Sequence, residues 1–242
     1  MEETRPSKRS KTSPTPAKEE EKKNGNDNEE RENDDKSKHP LLVFAHGAGA
    51  SSSSQWMIRW KKMLASAIGA VEAVTFDYPY FSGGKRGAPP KAENLVDPHV
   101  EEVRKAVAKH PGHPLILVGK SMGSRVSCMV AEKEDIDVSA VVCLGYPLKG
   151  VKGAIRDETL LKLSVHVMFV QGSKDALCPL QKLEAVRQKM TAMNELYVID
   201  GGNHSLEVGN KLLKEKGINQ VEVEMHTLKS IQAFVSKVLT GA

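Results

Sequence analysis

The chain has 242 residues, enough for one α/β domain and a tail, and 35 Lys and Arg against 31 Asp and Glu give a formal charge of +4. So small an excess is typical of a solvated surface and argues against nucleic acid as a partner. Three widely spaced cysteines argue against a disulfide framework and a zinc site, and no apolar run approaches the roughly 18 residues of a membrane span.

Residues 1–38 form a charged segment without Val, Ile, Leu, Phe, Trp, Tyr or Cys. Such a segment buries too little apolar surface to offset the entropy lost on folding, so we predict a disordered tail before one folded domain, residues 39–242. The composition predicts a cytoplasmic protein, and the basic cluster Lys8-Arg9-Ser10-Lys11 leaves nuclear import open against the plain reading of a charged tail. The tail is also a candidate contact for a protein partner.

The folded region opens with a short apolar run, Leu41–Ala45, followed by the glycine-rich stretch His46-Gly47-Ala48-Gly49. A run that is apolar throughout indicates a strand buried on both faces of a parallel sheet. The next segment, Ser54–Ile68, repeats its apolar residues with helical spacing. We expect this helix to pack its Trp-bearing face against the sheet.

A second strand is predicted at Ala73–Phe76, and the loop after it, residues 77–94, is rich in Gly, Pro and aromatic residues. Because this loop starts where a strand ends, three of its aromatic side chains are candidates for a substrate-binding wall: Tyr78, Tyr80 and Phe81. Two cations there, Lys85 and Arg86, are candidates for a rim that attracts an anionic or polar ester. A solvated surface loop is the equally open alternative.

The strongest local signal is Gly119-Lys120-Ser121-Met122-Gly123, which fits G-x-S-x-G. It lies between a predicted strand, Leu115–Val118, and a predicted helix, Met122–Lys133, and another helix, Ala92–His110, precedes that strand. A nucleophilic serine on a strained strand-to-helix turn requires small neighbours, which the two glycines supply. We predict Ser121 as the nucleophile; a glycine-rich helix start with a serine cap is the alternative.

A serine nucleophile needs a base, and the base needs an acid that orients it. The strand predicted at Val165–Val170 leads to Asp175, and the strand predicted at Leu196–Ile199 leads to His204. The carboxyl ends of parallel strands meet at one edge of the sheet, so we expect the acid, the base and the nucleophile to converge there. Asp200 is the weaker candidate for the acid because it is too close to the base along the chain.

Stabilising the oxyanion of an acyl-transfer intermediate requires two backbone N–H donors. One comes from the residue after the nucleophile, here Met122, and the other from a glycine-rich loop after an early strand. In that loop Ala48 is the first choice and Gly47 the second. A plain glycine-rich turn is the alternative.

The remaining predicted elements are the strand Ala140–Leu144 and the helices Leu180–Met193 and Val221–Val238. Strands that alternate with helices predict an α/β fold: a doubly wound, mostly parallel sheet of about six strands with helices on both faces. Only about 18 residues separate Gly145-Tyr146-Pro147 from the next strand, which leaves no room for a large lid. We therefore expect an open site.

Four motifs follow one another: HGAG at 46–49, GKSMGSR at 119–125, QGSKD at 171–175 and GGNHS at 201–205. Together they resemble the α/β-hydrolase superfamily. More narrowly, they are similar to small hydrolase-like proteins that include the testis-expressed and KANSL-type chromatin-complex members, with dienelactone hydrolases as more distant relatives. The resemblance spans about residues 39–240 and implies the fold and an esterase-like capability, but no particular substrate.

From these residues we predict a serine hydrolase, carboxylesterase-like, that acts on a small carboxylic ester or thioester through an acyl-enzyme. This chemistry needs no metal and no organic cofactor. A non-catalytic hydrolase-fold scaffold or binding protein in a larger complex is the alternative. Cys178 lies near Asp175 in the sequence, and we interpret it as a buried spectator thiol.

Overall fold

A computed structural model of the chain describes residues 1–2, 39–84, 88–150 and 153–241. Its centre is one six-stranded sheet with the order β2-β1-β3-β4-β5-β6. The strands are β1 Leu41–Ala45, β2 Glu72–Phe76, β3 Leu115–Lys120, β4 Ala140–Leu144, β5 His166–Gly172 and β6 Asn194–Ile199. Every pairing is parallel. The predicted doubly wound parallel sheet is confirmed.

Seven α-helices lie among the described residues, and they cover both faces of the sheet. They are α1 Gln55–Ile68, α2 Val96–Lys109, α3 Met122–Ala131, α4 Glu158–Lys162, α5 Leu180–Arg187, α6 Asn210–Lys216 and α7 Gln220–Thr240. Side chains of α2, α3 and α5 join one apolar cluster, and those of α1, α6 and α7 join the cluster on the opposite face.

Strand β1 explains why the sheet needs both layers of helices. All five of its residues are buried. Leu41 and Val43 belong to one apolar cluster, whereas Leu42 and Phe44 belong to the other. Because neighbouring side chains of a strand point to opposite faces, a run that is apolar throughout is stable only where both faces are covered.

Two of the predicted helices are much shorter in the structure than in the prediction. Residues Ala92–Leu95 form a 3-10 turn, and α2 begins only at Val96. Pro98 lies in the first turn of α2, where its missing N–H costs least, whereas a helix starting at residue 92 would need that donor. Helix α5 ends at Arg187, whose carbonyl oxygen accepts a hydrogen bond of 3.3 Å from Nδ2 of Asn194.

The switch point of the sheet lies between β1 and β3, because the strand order reverses there. Ligands of open α/β sheets bind at such a point, outside the carboxyl ends of the strands. Between β4 and β5 the only helix among the described residues is α4, which has five residues. No helix of the described residues is both long and apolar enough to span a membrane. The predicted tail, beyond Met1 and Glu2, and the cationic rim of Lys85 and Arg86 lie outside the described residues.

Candidate active site

Ser121 occupies the turn between β3 and α3 with φ 52° and ψ −117°, a conformation that costs a residue with a Cβ of order 1–3 kcal/mol. The flanking glycines let this turn close. A Cβ atom on Gly119 would lie 2.2 Å from the backbone nitrogen of Ser124, and one on Gly123 would lie 2.4 Å from the carbonyl oxygen of Ala45. The sequence therefore folds here into a tight elbow that presents the Ser121 hydroxyl at the carboxyl edge of the sheet.

The structure brings Ser121, His204 and Asp175 into one chain of hydrogen bonds. The Oγ atom of Ser121 lies 2.8 Å from Nε2 of His204, and Nδ1 of His204 lies 2.7 Å from Oδ2 of Asp175. In this arrangement Nδ1–H donates to the carboxylate, and Nε2 is left to accept the serine proton. A carboxylate, an imidazole and a hydroxyl connected in this way can transfer a proton away from the hydroxyl as it attacks.

The carboxylate of Asp175 is fully buried, whereas the His204 side chain is 29 % exposed. Oδ1 of Asp175 accepts a hydrogen bond of 2.8 Å from the backbone N–H of Leu177, and Oδ2 accepts one of 2.5 Å from Nε2 of Gln171. Burial by itself raises the pKa of Asp175, but the hydrogen bonds from His204, Leu177 and Gln171 outweigh it and hold the pKa below its usual value. The carboxyl group is therefore ionised at neutral pH.

Lys120 and Trp56 hold the main chain that carries His204. The ammonium of Lys120 donates a hydrogen bond to the carbonyl oxygen of His204, and the indole N–H of Trp56 donates one of 3.1 Å to the carbonyl oxygen of Ser205. The Lys120 Nζ atom also lies 5.5 Å from the centroid of the Trp56 ring, within the range of a cation–π contact. Burial lowers the pKa of Lys120 to about 8, although Asp175 and Glu207 oppose this.

Sequence reasoning missed both of these contacts. The sequence analysis predicts only core packing for the Trp-bearing face of α1, and it assigns no role to Lys120. The signal in the sequence is the lysine itself, a long cation directly before the predicted nucleophile.

The loop of residues 46–49 lies against the elbow. A Cβ atom on Gly47 would be 3.3 Å from both the Ser121 Cβ and the Lys120 carbonyl oxygen. The Gly47 carbonyl oxygen lies 2.7 Å from Nδ1 of His46 and accepts a hydrogen bond of 3.4 Å from the Tyr80 hydroxyl. In a trans peptide the N–H of Ala48 points opposite to that carbonyl. The N–H of Ala48, the first choice for the oxyanion donor, therefore points away from His46 Nδ1 and the Tyr80 hydroxyl, the two partners of the Gly47 carbonyl oxygen.

His46 is neutral in this arrangement. Its Nε2 accepts a hydrogen bond of 3.1 Å from the backbone N–H of Tyr78, so the ring proton is on Nδ1. Burial lowers the pKa of His46, and the contacts with Gly47, Asp77 and Ala50 only partly offset this. On the other side of the elbow, Met122 is the first residue of α3, where backbone amides have no partner within the helix.

The prediction of Tyr78 as a substrate contact is wrong, because its side chain has no exposed surface. Its hydroxyl lies 3.2 Å from Nδ1 of His99, and its ring packs edge-on against His46 at 4.9 Å between centroids. Phe76 of β2 also packs edge-on against this ring, at 5.2 Å between centroids, so Tyr78 belongs to the core. Tyr80 and Phe81 are half-buried and also pack on His46, at 6.0 and 5.0 Å. Their contact with a substrate stays a prediction.

The rival acid and the nearby thiol are engaged elsewhere. Asp200 pairs with Lys216 at 2.6 Å and accepts a hydrogen bond of 3.3 Å from the Ser173 hydroxyl. Cys178 is 1 % exposed, and burial raises the pKa of its thiol to about 12. Within the described residues, no group of three or more His, Cys, Asp or Glu side chains is placed to hold a metal ion.

Comparison with known proteins agrees with this fold. A family model described as an alpha/beta hydrolase domain matches residues 38–236, well over half of the chain. An alpha-beta serine hydrolase homologue from Coxiella burnetii has a TM-score of 0.59 and 17 % identity, covering 79 % of this chain and 84 % of its own.

Two further solved structures are similar. A dienelactone hydrolase from Anabaena variabilis has a TM-score of 0.57 and 17 % identity over 78 % of this chain and 86 % of its own. A Butyrivibrio proteoclasticus protein with bound ferulic acid has a TM-score of 0.57 and 18 % identity over 81 % of this chain and 90 % of its own. At such identities these likenesses establish a common fold.

Proposed function

This chain belongs to the alpha/beta hydrolase domain family, and on that premise we propose that it is a serine hydrolase acting on a small carboxylic ester or thioester. The observation that carries the proposal is the unbroken chain of hydrogen bonds from the Ser121 hydroxyl through His204 to Asp175, with distances of 2.8 and 2.7 Å. Three ionisable or hydroxyl groups at productive distances, on three different loops, are the arrangement that acyl transfer to water requires.

In the proposed mechanism, Nε2 of His204 removes the proton of the Ser121 hydroxyl while Oγ attacks the substrate carbonyl carbon. The carbonyl electron pair moves onto oxygen to give a tetrahedral oxyanion. When that intermediate collapses, the bond to the alcohol or thiol breaks, and the leaving group takes the proton from His204. A water molecule, deprotonated by the same nitrogen, then attacks the acyl-enzyme, and the acid is released as Ser121 recovers its proton.

Asp175 keeps the base in the required state. Its ionised carboxylate fixes the His204 proton on Nδ1 and stabilises the imidazolium that forms in each half-reaction. The backbone N–H groups of Met122 and Ala48 are the proposed donors to the oxyanion. Removing one such donor typically costs about 10²–10³ in turnover.

Two structural neighbours support an ester-type small molecule as the substrate: one is a dienelactone hydrolase, and another was solved with ferulic acid. The segment between β4 and β5 supports the same choice, because among the described residues its only helix has five residues, and it offers no lid to enclose a long acyl chain. Within the superfamily we propose that this chain is related to the testis-expressed and KANSL-type small hydrolase-like proteins, on the GKSMGSR and GGNHS stretches.

Covalent labelling with a fluorophosphonate probe tests the proposal. We expect the full-length protein to be labelled and Ser121→Ala to be unlabelled, because only an activated serine attacks such a probe. Ser66→Ala, which changes an exposed serine on α1, is the matched control and should be labelled like the wild type. A folded wild-type protein that resists the probe would overturn the proposal and favour a non-catalytic scaffold.

A further inference from the structure

We propose that the ring N–H of His46 keeps the Gly47–Ala48 peptide oriented so that its amide faces the oxyanion formed during the reaction, which makes His46 a positioning residue. The inference rests on the proposed hydrolase function and adds to it the residue that prepares one oxyanion donor. Its basis is a hydrogen bond of 2.7 Å between a fully buried histidine and the carbonyl oxygen of that peptide.

The Gly47–Ala48 peptide needs a restraint from outside the loop backbone. Position 47 has to be small, because a Cβ atom there would lie 3.3 Å from both the Ser121 Cβ and the Lys120 carbonyl oxygen. Glycine tolerates a wide range of φ and ψ, so the peptide that follows it is free to rotate. Half a turn would exchange the amide for a carbonyl oxygen, which repels an oxyanion. The glycine that permits the close approach to the elbow therefore leaves the donor without a fixed direction.

Two donors hold the Gly47 carbonyl oxygen. Nδ1 of His46 lies 2.7 Å from it, and the Tyr80 hydroxyl donates a hydrogen bond of 3.4 Å. Both lone pairs of the oxygen are thus engaged, and the shorter and stronger contact is the one with His46. Because the C=O and N–H groups of a trans peptide point in opposite directions, fixing the oxygen also fixes the Ala48 amide.

The surrounding backbone selects the tautomer of His46 that donates to Gly47. Its Nε2 accepts a hydrogen bond of 3.1 Å from the backbone N–H of Tyr78, so the single proton of the neutral ring is on Nδ1. The nearest carboxylate does not compete for Nε2. Oδ1 of Asp77 lies 3.8 Å away from that nitrogen, beyond hydrogen-bond distance, and accepts a bond of 2.6 Å from the backbone N–H of Ser52.

Three aromatic rings fix the direction of the imidazole. Tyr78, Tyr80 and Phe81 pack on it with centroid separations of 4.9, 6.0 and 5.0 Å, and the Phe81 ring is nearly perpendicular to it, at 87°. The His46 side chain is fully buried, so bulk water does not compete for its bond to Gly47. A donor that is held in place before charge develops is what stabilisation of an oxyanion requires.

Two substitutions of His46 separate the roles of its two ring nitrogens. The amide of asparagine reaches about the place of Nδ1, whereas the longer glutamine places its amide near Nε2. His46→Asn should therefore keep a donor to Gly47 and lose the acceptor for Tyr78, and His46→Gln should do the reverse. Both remove the buried ring and should lower Tm. The control is His99→Gln, which changes a second fully buried histidine, 3.2 Å from the Tyr78 hydroxyl.

The kinetic test compares 4-nitrophenyl acetate with its thiono analogue, in which sulfur replaces only the carbonyl oxygen. Sulfur accepts hydrogen bonds weakly, so the ratio of the two kcat/KM values, oxygen over sulfur, reports the oxyanion donors rather than the nucleophile or the base. In His46→Gln this ratio should fall about ten- to a hundredfold below that of the wild type, as the amide loses its direction. In His46→Asn and His99→Gln it should stay near the wild-type value.

An unchanged ratio in His46→Gln, or equal falls in His46→Gln and His46→Asn, would overturn the positioning role. The serine hydrolase would still stand, because the wild type would still be labelled by the fluorophosphonate. A wild type that hydrolyses neither ester and resists the probe would refute the proposed function and this role together. Should His46→Gln not fold, a larger fall of the ratio in His46→Asn than in His99→Gln would refute the role, since the donor at Nδ1 is kept there.

A second measurement does not depend on turnover of the thiono ester. Butylboronic acid forms a tetrahedral adduct with an activated serine and places one oxygen where the oxyanion develops. Its inhibition constant, measured by competition with the fluorophosphonate probe, should rise about tenfold or more in His46→Gln and stay near the wild-type value in His46→Asn. The same inhibition constant in all three proteins would contradict the proposal.

Discussion

Replacing Gly123 by alanine tests whether the elbow depends on contact between backbones. An alanine Cβ there would lie 2.4 Å from the Ala45 carbonyl oxygen and 2.6 Å from that of His46. Both obstacles are main-chain atoms of β1 and its loop, so no side-chain rotation relieves the clash. Reaching even a 3.0 Å contact requires α3 and β1 to separate by 3.0 − 2.4 = 0.6 Å.

The structure gives the size of the expected effects. Overpacking of a tight interior contact costs about 1–3 kcal/mol. For a domain of this length that corresponds to a fall in Tm of about 2–12 °C, at about 2–4 °C for each kcal/mol. The same separation moves the Met122 amide relative to the Gly47–Ala48 peptide, and a misplacement near 1 Å costs about a hundredfold in rate. We therefore expect Gly123→Ala to fold, to melt earlier and to react with the fluorophosphonate probe about a hundredfold more slowly.

Thermal unfolding and the rate of labelling measure the two effects separately. Gly49→Ala is the steric control for unfolding, because a Cβ atom there meets nothing within 4 Å, and its Tm should match or slightly exceed that of the wild type. A Gly123→Ala protein with wild-type Tm and wild-type labelling would refute the reasoning, since the backbone contact would then constrain neither stability nor the site.

Other substitutions probe single contacts. Asp175→Asn should slow labelling by about 10⁴, because the amide cannot hold the His204 proton on Nδ1. The pKa of Asp175 is held below its unfolded value of about 3.9. The ionised carboxylate therefore contributes its full stabilisation above that value and loses it as the pH falls through the lower folded pKa. The free energies of unfolding of wild type and Asp175→Asn, measured in urea, should converge as the pH falls below about 4. Lys120→Met should slow labelling about tenfold or more, since the His204 carbonyl loses its charged donor. A variant that is labelled as fast as the wild type would show that Lys120 does not position His204. Tyr80→Phe removes a 3.4 Å hydrogen bond to Gly47 and should slow labelling less than tenfold.

The sheet could be predicted from the sequence because its strands are buried on both faces. Each of the six apolar runs is a strand in the structure, and two of them, Leu41–Ala45 and Ala140–Leu144, have the predicted bounds. Helix boundaries were less accurate. They depend on local exceptions such as Pro98 and on side chains beyond the helix, such as Asn194, which donates a hydrogen bond to the Arg187 carbonyl oxygen at the end of α5. Helices α4 and α6 were not predicted. They have five and seven residues, too few turns to show a helical period in the sequence.

The position of the candidate site could also be predicted from the sequence, because motifs that follow parallel strands must meet at one edge of the sheet. What sequence cannot give is the direction of side chains within a loop. Tyr78 and Tyr80 are two residues apart, yet the first is fully buried against His46 while the second keeps some exposed surface. Their difference arises from where the loop packs, and it removes only Tyr78 from the three predicted substrate contacts.

The loops of the candidate site are joined backbone to backbone as well as by side chains. Just as Gly123 lies against β1, Gly172 at the end of β5 has no room for a Cβ, which would be 2.3 Å from the Gly202 carbonyl oxygen. The acid's strand thus touches the loop of the base, and the nucleophile's helix touches the loop of the proposed oxyanion donor. Because main-chain atoms have no alternative rotamers, these contacts fix the distances on which proton transfer depends, and stabilisation of a developing charge requires donors held in place beforehand. A shift of the backbone should therefore cost more activity than the loss of a peripheral hydrogen bond, which is why Gly123→Ala is expected to impair labelling more than Tyr80→Phe.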